Sequence, residues 1–293
     1  MQVLGRIGVY SRGQQFAWRG MSSADFSVTS SLQRRLGRRA TEASLRAAER
    51  AIVERARQWG LGVGEFGQVD DLQLLADLQH YGIPTRLIDF TSNPMTALWF
   101  ACQSAPERDL DDGRRLARSG VVLALNVTRF RRFDTVGVPF GLWDDGTLRL
   151  GSEWRIDLAL TTNEPFIVEQ STPNARLRAQ EGFFVAGAVP ERSLRHLAHN
   201  EPFMGLEIGG GRGNPQELTR RLLADPERGA PRPLPFVAIF IGSTLKKKLL
   251  AYLQGSYNRH ARALFPDYQG FREYGLPQWE ELGASADASD SGE

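Results

Sequence analysis

The chain has 293 residues, of which 41% are apolar and 10% aromatic, and its formal net charge is +2. That length and composition can bury a substantial core in one large domain or two small ones, and no apolar run approaches the ~18 residues of a membrane span. A single cysteine, Cys102, excludes an internal disulfide framework, and the first residues lack the apolar run of a signal peptide. We therefore expect a soluble, cytoplasmic protein.

Two short strands are predicted before residue 21. The first covers residues 3–10, and the second is the segment QFAWRG at residues 15–20. In the second strand Phe16 and Trp18 alternate with the residues between them, so Arg19 points away from the face that carries Trp18. Arg19 and Gly20 close this strand, at an element end where a polar side chain needs no partner in the core.

The clearest helix covers residues 41–59, where apolar residues recur at spacings of three and four. Basic residues dominate this helix and the segment before it. Such a patch suits a nucleic-acid backbone, but oppositely charged pairs one turn apart would make it an ordinary solvated surface. Both interpretations stay open, and the nucleic-acid interpretation assigns the contact to Arg34, Arg35, Arg38 and Arg39.

A compact central segment, LQHYGIPTRLIDFTSNPMTALWFAC, covers residues 78–102. A helix that begins after Asp70 ends within the first residues of this central segment. Gly82 follows it, and Gly is typical of the position just past a helix. A strand at residues 85–90 follows, and Asn93-Pro94 then starts a buried helix. Each polar residue here can be explained as a cap or turn residue, but together they predict a site. These residues are His80, Tyr81, Arg86, Asp89, Thr91 and Ser92.

The second half of the chain contributes further strands, predicted at residues 121–126, 166–168, 183–186 and 236–241. Gln180 and Glu181 come just before the third of these, so they are placed to line a cleft. A helix is predicted at residues 243–253, with Leu245, Leu249, Tyr252 and Leu253 on one face. His196 and His199 lack accompanying metal ligands, so no metal is expected. Residues 278–293 carry acidic and no basic side chains, which predicts a disordered tail.

Four blocks of this sequence resemble the FRG domain family, which is named for a Phe-x-Arg-Gly motif. In order they are FAWRG followed by SSLQRR, then LQHYGIPTRLIDFTSNPMTALWFAC, then ARLRAQEGFF, then LFPDYQGFREY, and they span about residues 16–274. The resemblance implies a single FRG domain over residues 1–277, with insertions, followed by the acidic tail. It also implies an α+β fold of the ADP-ribosyltransferase type, with a split antiparallel sheet and surrounding helices.

The activity implied by the resemblance is cleavage of NAD at the nicotinamide–ribose bond, with transfer of ADP-ribose to a target. The target class stays open between nucleic acid, nucleotide and protein, and the resemblance points to a bacterial toxin or phage-defence effector, for which an antitoxin or immunity protein is the expected partner. Two other interpretations stay open: a non-catalytic nucleotide- or protein-binding module, and a nuclease that uses His80 and Asp89.

The resemblance also implies roles for particular residues. Arg19 and Gly20 match the first motif of the transferase fold and suit the diphosphate or the nicotinamide ribose of NAD. Thr91 and Ser92 resemble the second motif, and Gln180-Glu181 the third, where many such enzymes place a catalytic Glu. The FRG pattern tends to have Gln at both positions of the third motif, so the catalytic role stays open. Its candidates are Asp89, Gln180, Glu181 and His80, while Tyr81 and Arg86 join the residues expected to bind NAD.

These residues predict one concave site despite their separation in sequence. Arg19, His80, Tyr81, Asp89 and Gln180 or Glu181 each sit at an element end, where a sheet domain opens a crevice. If one NAD-sized site holds them, Arg19 must lie within ~15 Å of Asp89.

Overall fold

The computed structural model describes residues 2–10, 13–24, 26–37, 40–64, 67–104, 119–134, 155–161, 164–170, 173–189 and 236–276. Within these ranges, no helix is long and apolar enough to cross a membrane. His196, His199, Arg38, Arg39 and the predicted tail at residues 278–293 lie outside the described residues.

Ten helices are described in these ranges, and a π-helical turn at Phe271–Gly275 follows the last of them. The helices are α1 (Gln2–Tyr10), α2 (Ser31–Leu36), α3 (Glu42–Gln58), α4 (Asp71–His80), α5 (Pro94–Cys102), α6 (Arg155–Ala159), α7 (Ala175–Ala179), α8 (Ser243–Tyr257), α9 (Ala261–Leu264) and α10 (Tyr268–Gly270). The strands of the same ranges are β1 (Phe16–Met21), β2 (Val63–Gly64), β3 (Gly67–Gln68), β4 (Ile88–Thr91), β5 (Gly120–Asn126), β6 (Arg131–Asp134), β7 (Phe166–Glu169), β8 (Gly182–Ala186) and β9 (Phe236–Ile241).

Seven strands form the main sheet in the order β6-β7-β8-β4-β1-β5-β9. Every pairing is antiparallel except that of β6 with β7, which is parallel. β1 and β5 share six register pairs, whereas β1 and β4 share only Trp18 with Thr91. The fold is therefore mixed α/β with a mostly antiparallel sheet, as predicted, and β2 and β3 pair separately as a two-stranded antiparallel sheet.

The first predicted strand is wrong, because residues 2–10 form helix α1. Val3, Leu4 and Ile7 recur at helical spacing, and all three pack into the hydrophobic cluster around α5. Nine residues with both β-branched and helix-favouring side chains fit the periodicity of a strand and that of a helix. Here packing against the sheet stabilises the helix.

The predicted helix starts are confirmed by their caps. The side chains of Thr41, Asp70 and Asn93 each accept a hydrogen bond from a main-chain N–H of the following turn. Gly82 follows α4 with φ of +81°, a left-handed conformation that a residue without Cβ adopts without strain. These local signals fix how the chain enters β4, the strand at the centre of the candidate site.

Alternation along the strands divides the core between the two faces of the sheet. On β8, Phe184 and Ala186 pack with α4 and α6, while Val185 packs on the opposite face with Ile88 and Ala17. On β1, Trp18 faces α5, whereas Ala17 and Met21 face the other side. Arg19 therefore lies on the face opposite Trp18, as its position in the sequence predicted.

Helix α5 lies directly against the two central strands β1 and β5. A Cβ added to Gly20 would lie 1.8 Å from the main-chain O of Ala97, and one added to Gly120 would lie 2.0 Å from that of Ala101. Cys102 is buried at the end of this helix, and burial raises the pKa of its thiol to about 11. Cys102 is therefore a core residue, and Gly20 is needed for the close packing of α5 on β1. The predicted role of Gly20 in cofactor binding stays a prediction.

Replacing Gly20 by Ala should lower the free energy of unfolding by about 1–3 kcal/mol, because the new methyl group meets main-chain atoms that cannot rotate away. Denaturant unfolding of the purified variant measures this loss. The matched control is Gly255→Ala in helix α8, where an added Cβ meets nothing within 4 Å. That control should gain about 0.5–1 kcal/mol from helix propensity, and equal effects at the two glycines would contradict the packing argument.

Candidate functional site

Arg19 and Asp89 meet where β1 ends beside β4. The Arg19 Nη1 donates to the main-chain O of Asp89 at 2.5 Å and lies 3.8 Å from the Asp89 Oδ2. The predicted proximity of these two residues is thus confirmed. They line a cavity of about 170 Å³, which we call the first cavity. Its other lining residues are Thr29, Ser31, Arg34, Gln79, Gly82, Ile83, Leu87 and Ile88.

The guanidinium of Arg19 is only partly compensated in the first cavity. Burial lowers its pKa, the Asp89 carboxylate raises it, and the neighbouring Arg34 lowers it again. The Asp89 side chain is 65% exposed, so water weakens its attraction for Arg19, and the Arg19 Nε is buried without an acceptor among the described residues. Two cations thus face one solvated carboxylate, an arrangement that favours an anionic ligand.

Arg34 owes its orientation to the loop before α2. Its Nη1 donates to the main-chain O of Thr29 at 2.5 Å, and Ser30 caps the helix through Gln33. Arg34 thus belongs to the first cavity, whereas the sequence assigned it to a nucleic-acid surface together with Arg35. Arg35 is exposed on the same helix and does not line the first cavity.

Asp89 is held from the α4 side as well. Gln79 near the end of α4 donates from Nε2 to the Asp89 Oδ1 at 3.0 Å. The Thr85 hydroxyl donates to the amide oxygen of Gln79, so the amide has a defined orientation. Asp89 is therefore positioned by two side chains, one on each neighbouring element, and both contacts must change if Asp89 moves.

His80 and Tyr81 lie near the first cavity but do not line it. The side chain of Tyr81 is 79% exposed, and its ring meets that of His80 edge-on at 5.1 Å. The carboxyl groups near His80 are those of Asp77 and Asp267. The pairing of His80 with Asp89 that a nuclease would need is absent from the described contacts.

Thr91 and Ser92 connect the end of β4 to the turn that precedes β8. The Thr91 hydroxyl donates to the main-chain O of Gln180 at 2.7 Å and accepts from the Asn93 N at 3.0 Å. The Ser92 N donates to the main-chain O of Glu181 at 3.0 Å. The second and third predicted motifs therefore lie together, although Thr91 itself is buried and acts within the turn.

Glu181 adopts a left-handed conformation with φ of +50°, which is uncommon for a residue that has a Cβ. Its Oε1 accepts from the Asn93 Nδ2 at 2.8 Å and from the Arg259 Nη2 at 2.7 Å. Such backbone conformations persist where surrounding contacts enforce them, and they concentrate at functional sites. Asn93 and Arg259 thus fix the position of the Glu181 carboxylate, which is 44% exposed.

A second cavity, of about 610 Å³, lies at this end of β4. Asp89 lines the first cavity and Ser92 the second, and Ser92 is the third residue after Asp89, which is about 10 Å along an extended chain. The predicted single site is therefore divided between two cavities. The second is lined by Gln15, Phe16, Ser92, Val127, Arg132, Glu169, Gln170, Pro173, Glu181, Gly182 and Phe183.

Arg86 has a structural role, which corrects the prediction that it binds a cofactor. Its side chain is only 1% exposed. Its Nε and Nη2 contact the Glu49 carboxylate at 2.6–2.9 Å, and its Nη1 lies 3.1 Å from both the Glu42 Oε1 and the main-chain O of Gly187. Burial lowers the pKa of Arg86, but the two carboxylates more than offset this and raise it. No face of this guanidinium is left for a ligand.

Sequence reasoning missed Gln79 and Arg259 as site residues. Gln79 was passed over between the stronger signals of the helix end and Gly82, and its partner Asp89 lies ten residues further along the chain. Arg259 lies 78 residues from Glu181, and no local pattern connects them. No group of three or more metal-ligating side chains suited to a metal ion occurs in the part of the chain that the structure describes.

The fold and these cavities define an α/β domain with a polar site on its central strands. Residues 14–110 match the family model of the FRG domain. This match supports the predicted resemblance to the FRG domain over the first two sequence blocks, while the blocks ARLRAQEGFF and LFPDYQGFREY lie beyond the matched residues. No curated protein and no solved structure matches the chain.

Proposed function

We propose that this protein is an NAD-dependent ADP-ribosyltransferase that acts as a toxin or phage-defence effector. The observation that carries the proposal is the order of the central strands. β8, β4 and β1 are neighbours in the sheet, with Gly182, Thr91 and Trp18 in register. Glu181, Thr91-Ser92 and Arg19 therefore lie at or beside one line across the sheet, with Arg19 in the first cavity and Glu181 in the second. These are the third, second and first motifs that the family resemblance implies, gathered from three distant parts of the sequence.

The first cavity supports binding of the NAD diphosphate. Arg19 and Arg34 supply two guanidinium groups, and guanidinium is well suited to phosphate oxygens. In the absence of ligand, the Asp89 carboxylate pairs with Arg19. The NAD diphosphate would therefore displace a solvated carboxylate from Arg19 and not a buried one. This exchange keeps the empty cavity ordered while leaving Arg19 available.

Glu181 is the group to which we assign the chemical step. In that step the bond between ribose C1′ and the nicotinamide nitrogen breaks, nicotinamide leaves, and the acceptor atom bonds to C1′ while its proton passes to a base. A carboxylate near the ribose stabilises the positive charge that develops there and can take that proton. Asn93 and Arg259 hold the Glu181 carboxylate in place for this role.

A second candidate function is a nucleotide-binding module without catalysis. The ion pair between Arg259 and Glu181 favours this candidate. The Arg259 cation, at 2.7 Å, offsets part of the negative charge that Glu181 would offer to a transition state. This candidate keeps the phosphate site at Arg19 and Arg34 and predicts binding of NAD without its consumption.

Incubation with NAD labelled on the adenylate, together with DNA, RNA and cell lysate, tests the proposal. Transfer of label supports it and identifies the acceptor class, and release of nicotinamide reports the bond that breaks. Arg19→Ala should abolish NAD binding, whereas Arg55→Ala on the exposed side of α3 should not change it. Binding of NAD without any nicotinamide release would favour the non-catalytic module.

A nucleic-acid acceptor makes a separate prediction for Arg35. If Arg35 contacts a phosphate, binding to nucleic acid should weaken steeply as salt rises, with a slope of about −0.9 in log affinity against log salt for each contact on duplex DNA. Arg35→Ala should then lower that slope by about one. Titration by fluorescence anisotropy at several salt concentrations measures the slope for the unchanged protein and for Arg35→Ala. Salt-insensitive binding would mean that the exposed face of α2 is an ordinary solvated surface.

A further inference from the structure

The second cavity has the size and apolar surface of a small-molecule site. Its volume of about 610 Å³ lies within the usual range of roughly 300–1,000 Å³ for such sites. Phe16 from the start of β1 and Phe183 from β8 line it, and both side chains are only partly buried. Val127 and Pro173 complete the apolar lining. Aromatic side chains that line a cavity favour a planar ligand.

The polar lining of the second cavity is rich in hydrogen-bonding groups and poor in available cations. Gln15, Gln170 and Ser92 supply amide and hydroxyl groups. Arg132, the one cation that lines the cavity in the described ranges, is already bound by the Glu169 carboxylate and by the Gln15 Oε1. Glu169 and Glu181 line the cavity as well, and Arg259, which binds Glu181, does not line it. The lining therefore offers no guanidinium without a partner and disfavours phosphate.

We infer that the second cavity binds an aromatic heterocycle that carries amide or amine groups and no phosphate at this position. Two ligands share that chemistry: the nicotinamide group of NAD and a nucleobase of the acceptor. The choice between these two rests on the proposed function, whereas the binding of a heterocycle rests only on the lining. The first cavity, with its two arginines, is unsuited to the same ligand.

Calorimetric titration with free nicotinamide and with adenosine, guanosine, cytidine and uridine tests this inference. None of these probes carries phosphate, so none should need Arg19. At least one should bind, and Phe183→Leu should weaken it about tenfold through loss of a stacked aromatic surface. Gln15→Ala alters an exposed side chain of the lining and provides a second test that does not disturb the core. The matched controls Phe271→Leu and Gln58→Ala change exposed residues outside the cavity and should bind normally.

The outcomes separate the sources of the ligand from one another and from the proposed function. Binding of nicotinamide alone identifies a donor site, and binding of a nucleoside alone identifies an acceptor site. No binding of any probe at millimolar concentration, or binding that is lost in Arg19→Ala but unchanged in Phe183→Leu and Gln15→Ala, would overturn the inference. If a probe binds as expected but NAD is never consumed, only the transferase proposal fails.

Discussion

Arg86→Ala is expected to lower the free energy of unfolding by about 3–5 kcal/mol, because it leaves the buried Glu49 carboxylate without its partner. Arg86 joins α3, through Glu49 and Glu42, to the main-chain O of Gly187 after β8. The substitution therefore removes the contacts that join α3, the segment before β4 and the segment after β8. Urea unfolding followed by circular dichroism measures the loss, and Arg55→Ala on the exposed side of α3 is the matched control.

The double variant Arg86→Met with Glu49→Leu separates the cost of an unpaired charge from the value of the pair. Replacing both partners by apolar groups of similar size should recover most of the stability, since buried ion pairs often contribute little net free energy. If the double variant is as unstable as Arg86→Ala, the hydrogen bonds to Glu42 and Gly187 carry the effect and the argument from Glu49 is wrong.

Glu181→Gln is expected to lower NAD turnover by about 10²–10³-fold, the loss typical of removing one preorganised electrostatic group, while the affinity for NAD changes little. The amide keeps the size of the side chain, so the turn and its hydrogen bond to Asn93 should persist. Asp89→Ala should also spare binding and lower turnover, but less, because its contacts hold Arg19 and not the reacting atoms. Comparison of kcat with the Kd for NAD distinguishes binding from turnover.

A matched control for the Glu181 experiment is Glu273→Gln, an exposed carboxylate in the π-helical turn. Its turnover should equal that of the unchanged protein. Equal losses for Glu181→Gln and Glu273→Gln would indicate a general effect of charge, and a larger loss for Asp89→Ala than for Glu181→Gln would move the catalytic assignment to Asp89.

Much of the fold was predictable because its signals are local. The predicted strand at residues 236–241 coincides with β9, and the caps at Thr41, Asp70 and Asn93 mark their helices. Such signals depend on residues within one turn of each other. The proximity of Arg19 and Asp89 was also predicted, since both lie at element ends.

The remaining features depend on partners that are distant in sequence. The predicted inner face of α8 included Leu245, but Leu245 is exposed, and Lys246 is buried in its place. The Lys246 Nζ donates to the main-chain O of Ser22 and of Gln103 at 2.6 and 2.9 Å. Hydrophobic periodicity registers only apolar side chains, so it cannot foresee a cation that is buried by carbonyl acceptors. The partners of Arg86 and Glu181 escaped prediction for the same reason.

The single register pair between β1 and β4 has a mechanical consequence. It divides the sheet into two well-bonded halves, β6-β7-β8-β4 and β1-β5-β9, that meet at Trp18 and Thr91. The hydrogen bond from Arg19 to the main chain of Asp89 spans this seam. A ligand that draws Arg19 away removes one of the few bonds across it. We therefore expect the sheet to open first along this seam, and amide hydrogen exchange along β4 should speed up if phosphate binds in the first cavity.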